Sequence, residues 1–208
     1  MAERVCHTPS MHEKSLCPSI GIDPALAQKP VPCHPRLVKR TSHIWLLGLS
    51  GSGKSTVGPL VAQKLGLPFA DTDAQITQSA QRPISQIFTE GGETEFRKLE
   101  SQIVAQLAQK PPTVISCGAG VILSPENRQI LSKTGVRIYL KAELSTLIQR
   151  LSKCTDRPLL PADQLEPNLL RQLSERKKWY EKSEVAIPIE LDTPEQICER
   201  ILLSLASS

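Results

Sequence analysis

From residue 43 onward the chain alternates short apolar runs with amphipathic stretches. Residues 43–49, HIWLLGL, are apolar almost throughout, which predicts a strand buried on both faces. Residues 54–66 follow, with Val57, Leu60, Val61 and Leu65 on one helical face and Gly66 at the end. The same reading predicts further strands near 67–71, 113–117, 136–140 and 186–191. It predicts helices near 84–109, 124–133, 144–152 and 168–182. Ser124 before Pro125 reads as an N-cap and first helical residue, and Thr193, Pro194 and Gln196 as a capping box opening a last helix. A polar, proline-rich segment, about 153–167, interrupts the pattern. Strands alternating with helices predict an α/β fold in three layers, a parallel sheet with helices on both faces.

Residues 1–42 show no sustained strand or helix period, so they are expected to be a disordered or loosely attached extension. The folded domain is expected over 43–208. His7, His12, Cys17, Cys33 and His34 fall in the extension, at spacings that fit no familiar metal site.

Composition narrows the class. The 208 residues, 39% hydrophobic and 22% charged, suit one soluble domain with an extension. The net charge is +4, and residues 1–42 hold six Lys/Arg against three Asp/Glu, so the domain is near neutral. No nucleic-acid partner is expected from that balance. No apolar run approaches the roughly 20 residues of a membrane span, so no membrane partner is expected either. The six cysteines form no CxxC pair, and the first 20 residues hold no stretch of signal-peptide length. Reduced thiols and a cytoplasmic location are the expectation. The alternative, a plastid leader, is acid-poor as required but lacks serine enrichment.

The chemistry begins at GLSGSGKS, residues 48–55, a full match to G-x-x-x-x-G-K-[ST] between a predicted strand and a predicted helix. Glycines there let backbone N–H groups turn toward phosphate oxygens, and the helix N-terminus favours the same anion. Gly51, Ser52, Gly53, Lys54, Ser55 and Thr56 are therefore the candidate ATP-binding residues. Lys54 is placed for the β- and γ-phosphates and the Ser55 hydroxyl for Mg²⁺.

Asp71 and Asp73, in FADTDAQ, fall at the end of the second predicted strand, where ligands bind a parallel sheet. In an extended strand they would share a face. One carboxylate is then available to Mg²⁺ through water, the other to a substrate hydroxyl. The plainer alternative is that one of them caps the next helix. Further on, IFTEGGETEFRKLE sets Arg97 and Glu100 at i and i+3, a spacing at which they can pair, and a held guanidinium suits a carboxylate. A surface ion pair is the alternative. SCGAG at 116–120 follows the third strand and offers backbone N–H groups. DRPLL carries Arg157 and RKKWY carries Arg176.

Together, GxxxxGKST, DTD, IFxxxGExxFRxxE, the glycine-rich triplet, RPLL and the late R-x-x-x-Y resemble the shikimate kinase family, over about residues 44–206. The resemblance implies a five-stranded P-loop kinase fold with a lid, about 153–167, and a substrate-binding region, about 73–100. It implies transfer of the ATP γ-phosphoryl group to the 3-hydroxyl of shikimate, giving shikimate 3-phosphate on the way to chorismate and the aromatic amino acids. Mg²⁺ is the implied cofactor, shikimate and ATP are the small-molecule partners, and the chain is expected to be a monomer.

The family's roles carry over onto matching positions. Asp73 anchors the acceptor and is the candidate general base, and Asp71 and Ser116 meet Mg²⁺ through water. Arg97 and Arg176 take the shikimate carboxylate, Glu100 orients Arg97, and Gly118, Ala119 and Gly120 approach the substrate. Arg157 closes over the phosphates from the lid, joining Lys54 and Asp73 as a catalytic residue. Arg150 stacks on adenine. Phe88, Phe96, Pro158 and Leu159 wall the substrate pocket, with plain core packing as the alternative for the two aromatics.

Two departures stand out. Ala119 replaces the middle glycine of the family's triplet, at little cost if its φ is negative and at the cost of a loop shift if it is positive. Lys178 and Glu184-Val185 replace the family's proline and Ala-Asp near the end of the 168–182 helix. A kinase for another polyol, such as gluconate, and a nucleotide-binding protein without catalysis remain open at this point.

Overall fold

The computed structural model describes residues 42–152 and 162–207, with side chains described from 164 in the second stretch. Five parallel strands form one sheet: β1 (His43–Leu47), β2 (Phe69–Asp71), β3 (Val114–Ser116), β4 (Gly135–Ala142) and β5 (Val185–Ile189). Their spatial order is β2-β3-β1-β4-β5. Every residue of β1 is buried, as expected for the centre of a sheet covered on both faces. The edge strand β5 alternates instead, with Val185, Ile187 and Ile189 inward. Pro188 points outward there, where a missing N–H costs no ladder bond.

The helices are α1 (Lys54–Leu65), α2 (Thr72–Ala80), α3 (Ile84–Leu107), α4 (Pro125–Thr134), α5 (Leu144–Leu151), α6 (Ala162–Tyr180) and α7 (Pro194–Ser207). In α1 Val57 and Val61 are buried, Leu60 and Leu65 pack at the core edge, and Gly66 closes the helix in the left-handed region. Ser124 caps α4, accepting from the Asn127 N–H. The capping box before α7 forms in both directions: Thr193 N–H donates to Gln196 Oε1 at 2.8 Å, and Gln196 N–H to Thr193 Oγ1 at 3.3 Å.

Three expectations are corrected. The stretch 84–109 is two helical pieces joined at Gly92, whose φ of 68° and ψ of −171° break the ladder. Arg82 spans this break, pairing with Glu90 on one side and Glu95 on the other. The proline-rich segment does not extend to 167 as irregular chain, because α6 begins at Ala162 and carries Pro167 inside it. The rest of the expected lid, including Arg157, Pro158 and Leu159, lies outside the described residues, as does the whole of 1–41.

The third correction concerns the two acids. They do not share a face of an extended strand. Asp71 ends β2 and caps α2, and Asp73 already belongs to the first helical turn. An aspartate at a strand end readily satisfies the next helix's orphan N–H groups, so the chain turns helical between them.

The connections from β1 lead outward to β2 and back through β3, then cross to β4 on the other side. The sheet's crevice for ligands therefore lies at the C-terminal ends of β1 and its neighbours.

Candidate active site

The loop leaving β1 supplies one half of this crevice. Gly48, Gly51 and Gly53 adopt φ of 145°, 83° and 96°, a region that side chains disfavour. The carbonyl of Gly53 accepts from Val57 N–H at 2.8 Å, so α1 starts at once, its positive end beside the loop. The buried Lys54 ammonium donates to the Gly48 and Leu49 carbonyls, each at 2.9 Å. Gly51, Gly53, Lys54, Ser55 and Thr56 line a cleft of about 440 Å³. Ser52 does not, because its side chain is fully buried with its hydroxyl 3.4 Å from Lys54 Nζ.

Three oxygens meet on the floor of that cleft. Ser55 Oγ donates to Asp71 Oδ2 at 2.7 Å and stands 3.2 Å from Ser116 Oγ. The other Asp71 oxygen, Oδ1, accepts from Asp73 N–H at 3.0 Å and Ala74 N–H at 3.3 Å. Asp71 thus caps a helix with one oxygen, as the plainer alternative had it, and faces Ser55 with the other. This set suits Mg²⁺, which takes hard oxygen ligands and keeps several waters. Among the described residues no group of three or more His, Cys, Asp or Glu gathers as a metal cage. Any ion here would therefore be held largely by phosphate oxygens and water.

The triplet after β3 supplies the other half. Ala119 does not have positive φ, since Gln81 alone among the described non-glycine residues does, and Gly120 sits at φ −93°. The added methyl at 119 therefore brings no backbone strain. What the flanking glycines provide is space. A Cβ on Gly118 would stand 2.6 Å from Asp73 Oδ1 and 3.0 Å from Glu100 Oε1, and one on Gly120 would collide with the Arg97 guanidinium. Asp73 and Arg97 press directly against this turn.

Arg97 Nη1 donates to Glu100 Oε2 at 2.8 Å, and its Nε and Nη2 reach Glu93. Glu100 is 1% exposed, so the surface-pair alternative fails. Burial pushes the Glu100 carboxyl above its usual range, and Asp73 adds to this while the Arg97 guanidinium opposes it. For Arg97 burial pulls downward, but Glu100 and Glu93 outweigh it and the net shift is upward. Arg176 donates to the Ala119 carbonyl at 3.3 Å and to Gln172 Oε1 at 2.8 Å. Arg97 and Arg176 stand against the triplet and, like Gly120 within it, do not line the cleft, whereas Asp73, Gly118 and Ala119 do. Phe96 is buried and Phe88 half-exposed, their rings 4.7 Å apart. From α5, Arg150 reaches the Gly51 and Glu190 carbonyls, each at 3.4 Å, and joins the cleft.

The cleft also includes residues that the sequence reading passed over. Asp192, Pro194 and Ile197 belong to its wall. They follow the last parallel strand at the ligand-binding edge, a position that could have flagged them. Cys117 lines it too, but burial pushes its thiol pKa well up, so it remains an unreactive thiol. No helix among the described residues is long and apolar enough to cross a membrane.

A glycine loop wrapped onto a helix N-terminus, at the switch point of a parallel five-stranded sheet, defines the class of P-loop kinase-type proteins. A gluconokinase from Sinorhizobium meliloti has this fold, with a TM-score of 0.57 at 24% identity over 81% of this chain and 93% of that one. Closer likeness selects one family within the class. The shikimate kinase family model matches residues 50–206. A shikimate kinase from Thermosynechococcus vestitus is 42% identical over 165 residues, 79% of this chain and 90% of the relative. The structure of a shikimate kinase from Acinetobacter baumannii in complex with shikimate superposes with a TM-score of 0.76 at 30% identity, covering 80% of this chain and 94% of that one. The chain belongs to the shikimate kinase family.

Proposed function

We propose that this protein transfers the γ-phosphoryl group of ATP to the 3-hydroxyl of shikimate. The observation that carries the reading is a convergence at one sheet edge. There the phosphate loop, the Ser55–Asp71–Ser116 oxygens and Asp73 meet a glycine-rich turn backed by two arginines. Membership of the family and the shikimate-bound relative support it.

ATP lies with its phosphates along residues 51–56, and Arg150 faces its base. Lys54 leaves its loop carbonyls to meet the β- and γ-phosphates, offsetting charge that grows on them in transfer. Ser55, with Asp71 and Ser116 through water, would hold a divalent ion, which we assign as Mg²⁺ and which would neutralise phosphate charge when bound. Shikimate lies on the 118–120 turn. Arg97, steadied by Glu100, and Arg176 pair with its carboxylate, and the Ala119 N–H donates to it. The 3-hydroxyl oxygen bonds to the γ-phosphorus as the bond to the β–γ bridging oxygen breaks. The hydroxyl proton passes to Asp73, and ADP leaves. For Arg157, outside the described residues, the role implied by the family resemblance is to offset charge on the transferring phosphate. A cytoplasmic monomer, with residues 1–42 outside the catalytic domain, belongs to the same proposal.

The test is a coupled ADP-release assay on the purified full chain with saturating ATP and Mg²⁺. ADP formation dependent on shikimate, and absent with gluconate, is expected. No shikimate-dependent signal would overturn the reading, and turnover of gluconate instead would move the chain to a different acceptor.

A further inference from the structure

The 118–120 turn can be accounted for one backbone group at a time. The Gly118 N–H donates to Thr72 Oγ1 at 2.8 Å, and the Gly118 carbonyl accepts from Val121 N–H at 3.1 Å. The Ala119 carbonyl accepts from the Tyr180 hydroxyl at 2.8 Å and from Arg176. The Gly120 carbonyl accepts from Leu123 N–H at 2.9 Å. Among the described residues this leaves the N–H groups of Ala119 and Gly120 without a protein acceptor. The two-residue segment Gly118-Ala119 is thus tied at its leading N–H and its trailing carbonyl by hydroxyls from two distant elements, with donors left over.

Both hydroxyls are themselves held. Thr72 is fully buried at the start of α2, between the two acids, so the segment that fixes Asp71 and Asp73 also fixes Gly118. Tyr180 ends α6, is 1% exposed, and stacks on Tyr139 with centroids 4.9 Å apart and planes 11° apart. Burial also keeps its hydroxyl protonated, hence a donor. Packing alone would accept valine at 72 and phenylalanine at 180, so the hydroxyls answer a polar need.

We infer that Thr72 and Tyr180 are positioning residues for the acceptor: they hold the peptide units on either side of the Gly118–Ala119 bond so that the Ala119 N–H between them faces bound shikimate. The inference rests on the function proposed above. Neither residue touches the reacting atoms. Each acts through the turn, so its loss costs acceptor affinity more than nucleotide affinity. Thr72 has the larger share, because it alone accepts from Gly118, whereas Arg176 still holds the Ala119 carbonyl when Tyr180 is changed.

The experiment is steady-state kinetics with each substrate varied in turn, beside thermal melts, for Thr72→Val, Thr72→Ser and Tyr180→Phe. Thr72→Val is expected to raise the shikimate KM about tenfold, and Tyr180→Phe about threefold, both leaving the ATP KM within about twofold. Thr72→Ser, which keeps the hydroxyl, is expected to return the shikimate KM to near wild type. A shikimate KM unchanged in both hydroxyl-deleted variants, or an equal rise in both KM values, overturns the inference even where the melting temperature falls. Should Thr72→Val not fold, Tyr180→Phe decides by the same split. Wild-type protein silent toward shikimate overturns the underlying function, whereas active wild type with unaffected variants overturns the inference alone.

Discussion

The two sides of the cleft are built in opposite ways. The phosphate side is one contiguous stretch, residues 48–56, shaped by three positive-φ glycines and held by its own backbone. Ser52 is buried under the loop, and Lys54 bonds to carbonyls five and six residues away. The acceptor side has no such stretch. Asp73 comes from α2, Arg97 and Glu100 from α3, the glycine turn from the end of β3, and Arg176 and Tyr180 from α6. These pieces hold each other by close contact, with glycines present because neighbours occupy the space a Cβ would take. A phosphate site presents the same anion to every member of the fold, and backbone N–H groups suffice. An acceptor site must recognise one molecule, which calls for side chains gathered from several elements.

That contrast can be broken or sharpened by substitution. The largest effect is expected on the phosphate side: Lys54→Met should lower kcat about 10²- to 10³-fold with an unchanged circular dichroism spectrum. Near-normal turnover would show that the loop backbone alone supports transfer. Asp73→Asn keeps the shape but removes the proton acceptor, and kcat should fall about 10²-fold, read in the same ADP-release assay. A normal rate there would remove Asp73 from the role of base.

Gly120→Ala tests whether the acceptor side depends on close packing. The new methyl must displace the Arg97 guanidinium, so the shikimate KM should rise about tenfold while the ATP KM stays within about twofold. Equal effects on both substrates would argue that the turn serves the whole cleft. Glu100→Gln gives a smaller, pH-dependent effect. Burial raises the Glu100 carboxyl, so the folded state prefers its protonated form. Its stabilising contribution is present in acid and declines as pH rises through the raised pKa. Glutamine does not titrate. Melting temperatures should therefore show the variant's deficit largest in acid and narrowing as pH climbs above the ordinary carboxylate range. A deficit constant with pH would contradict the shift. The smallest effect belongs to Ala119→Gly. With no positive φ at 119, restoring glycine should change the shikimate KM by no more than about twofold.

Much of the fold was legible because its signals are local. The buried central strand, the Ser124 cap, the Thr193–Gln196 box and the five-strand alternation depend on neighbours a few residues apart. The substrate region was harder. The apolar period of residues 72–80 is weak, and only Thr72 and Ile76 of that helix are buried, so α2 left little trace. The break at Gly92 went unread within one long apolar period, and nothing nearby in sequence shows that Arg82 would clamp both sides of it. Arg97 and Glu100 could be paired from spacing, but the burial of Glu100 could not, since it depends on the turn after β3 packing over it.

By itself, then, the sequence determined the phosphate loop and the strand–helix alternation, and it supplied the charged residues proposed for the transfer. Tertiary structure decided which oxygen of Asp71 caps a helix and which meets Ser55, why Gly118 and Gly120 are glycine, and how Thr72 and Tyr180 hold one peptide between them. The division has a physical origin. A loop that uses its own backbone carries its instructions within nine residues. A turn oriented by hydroxyls 46 and 61 positions away exists only once the sheet has brought them together.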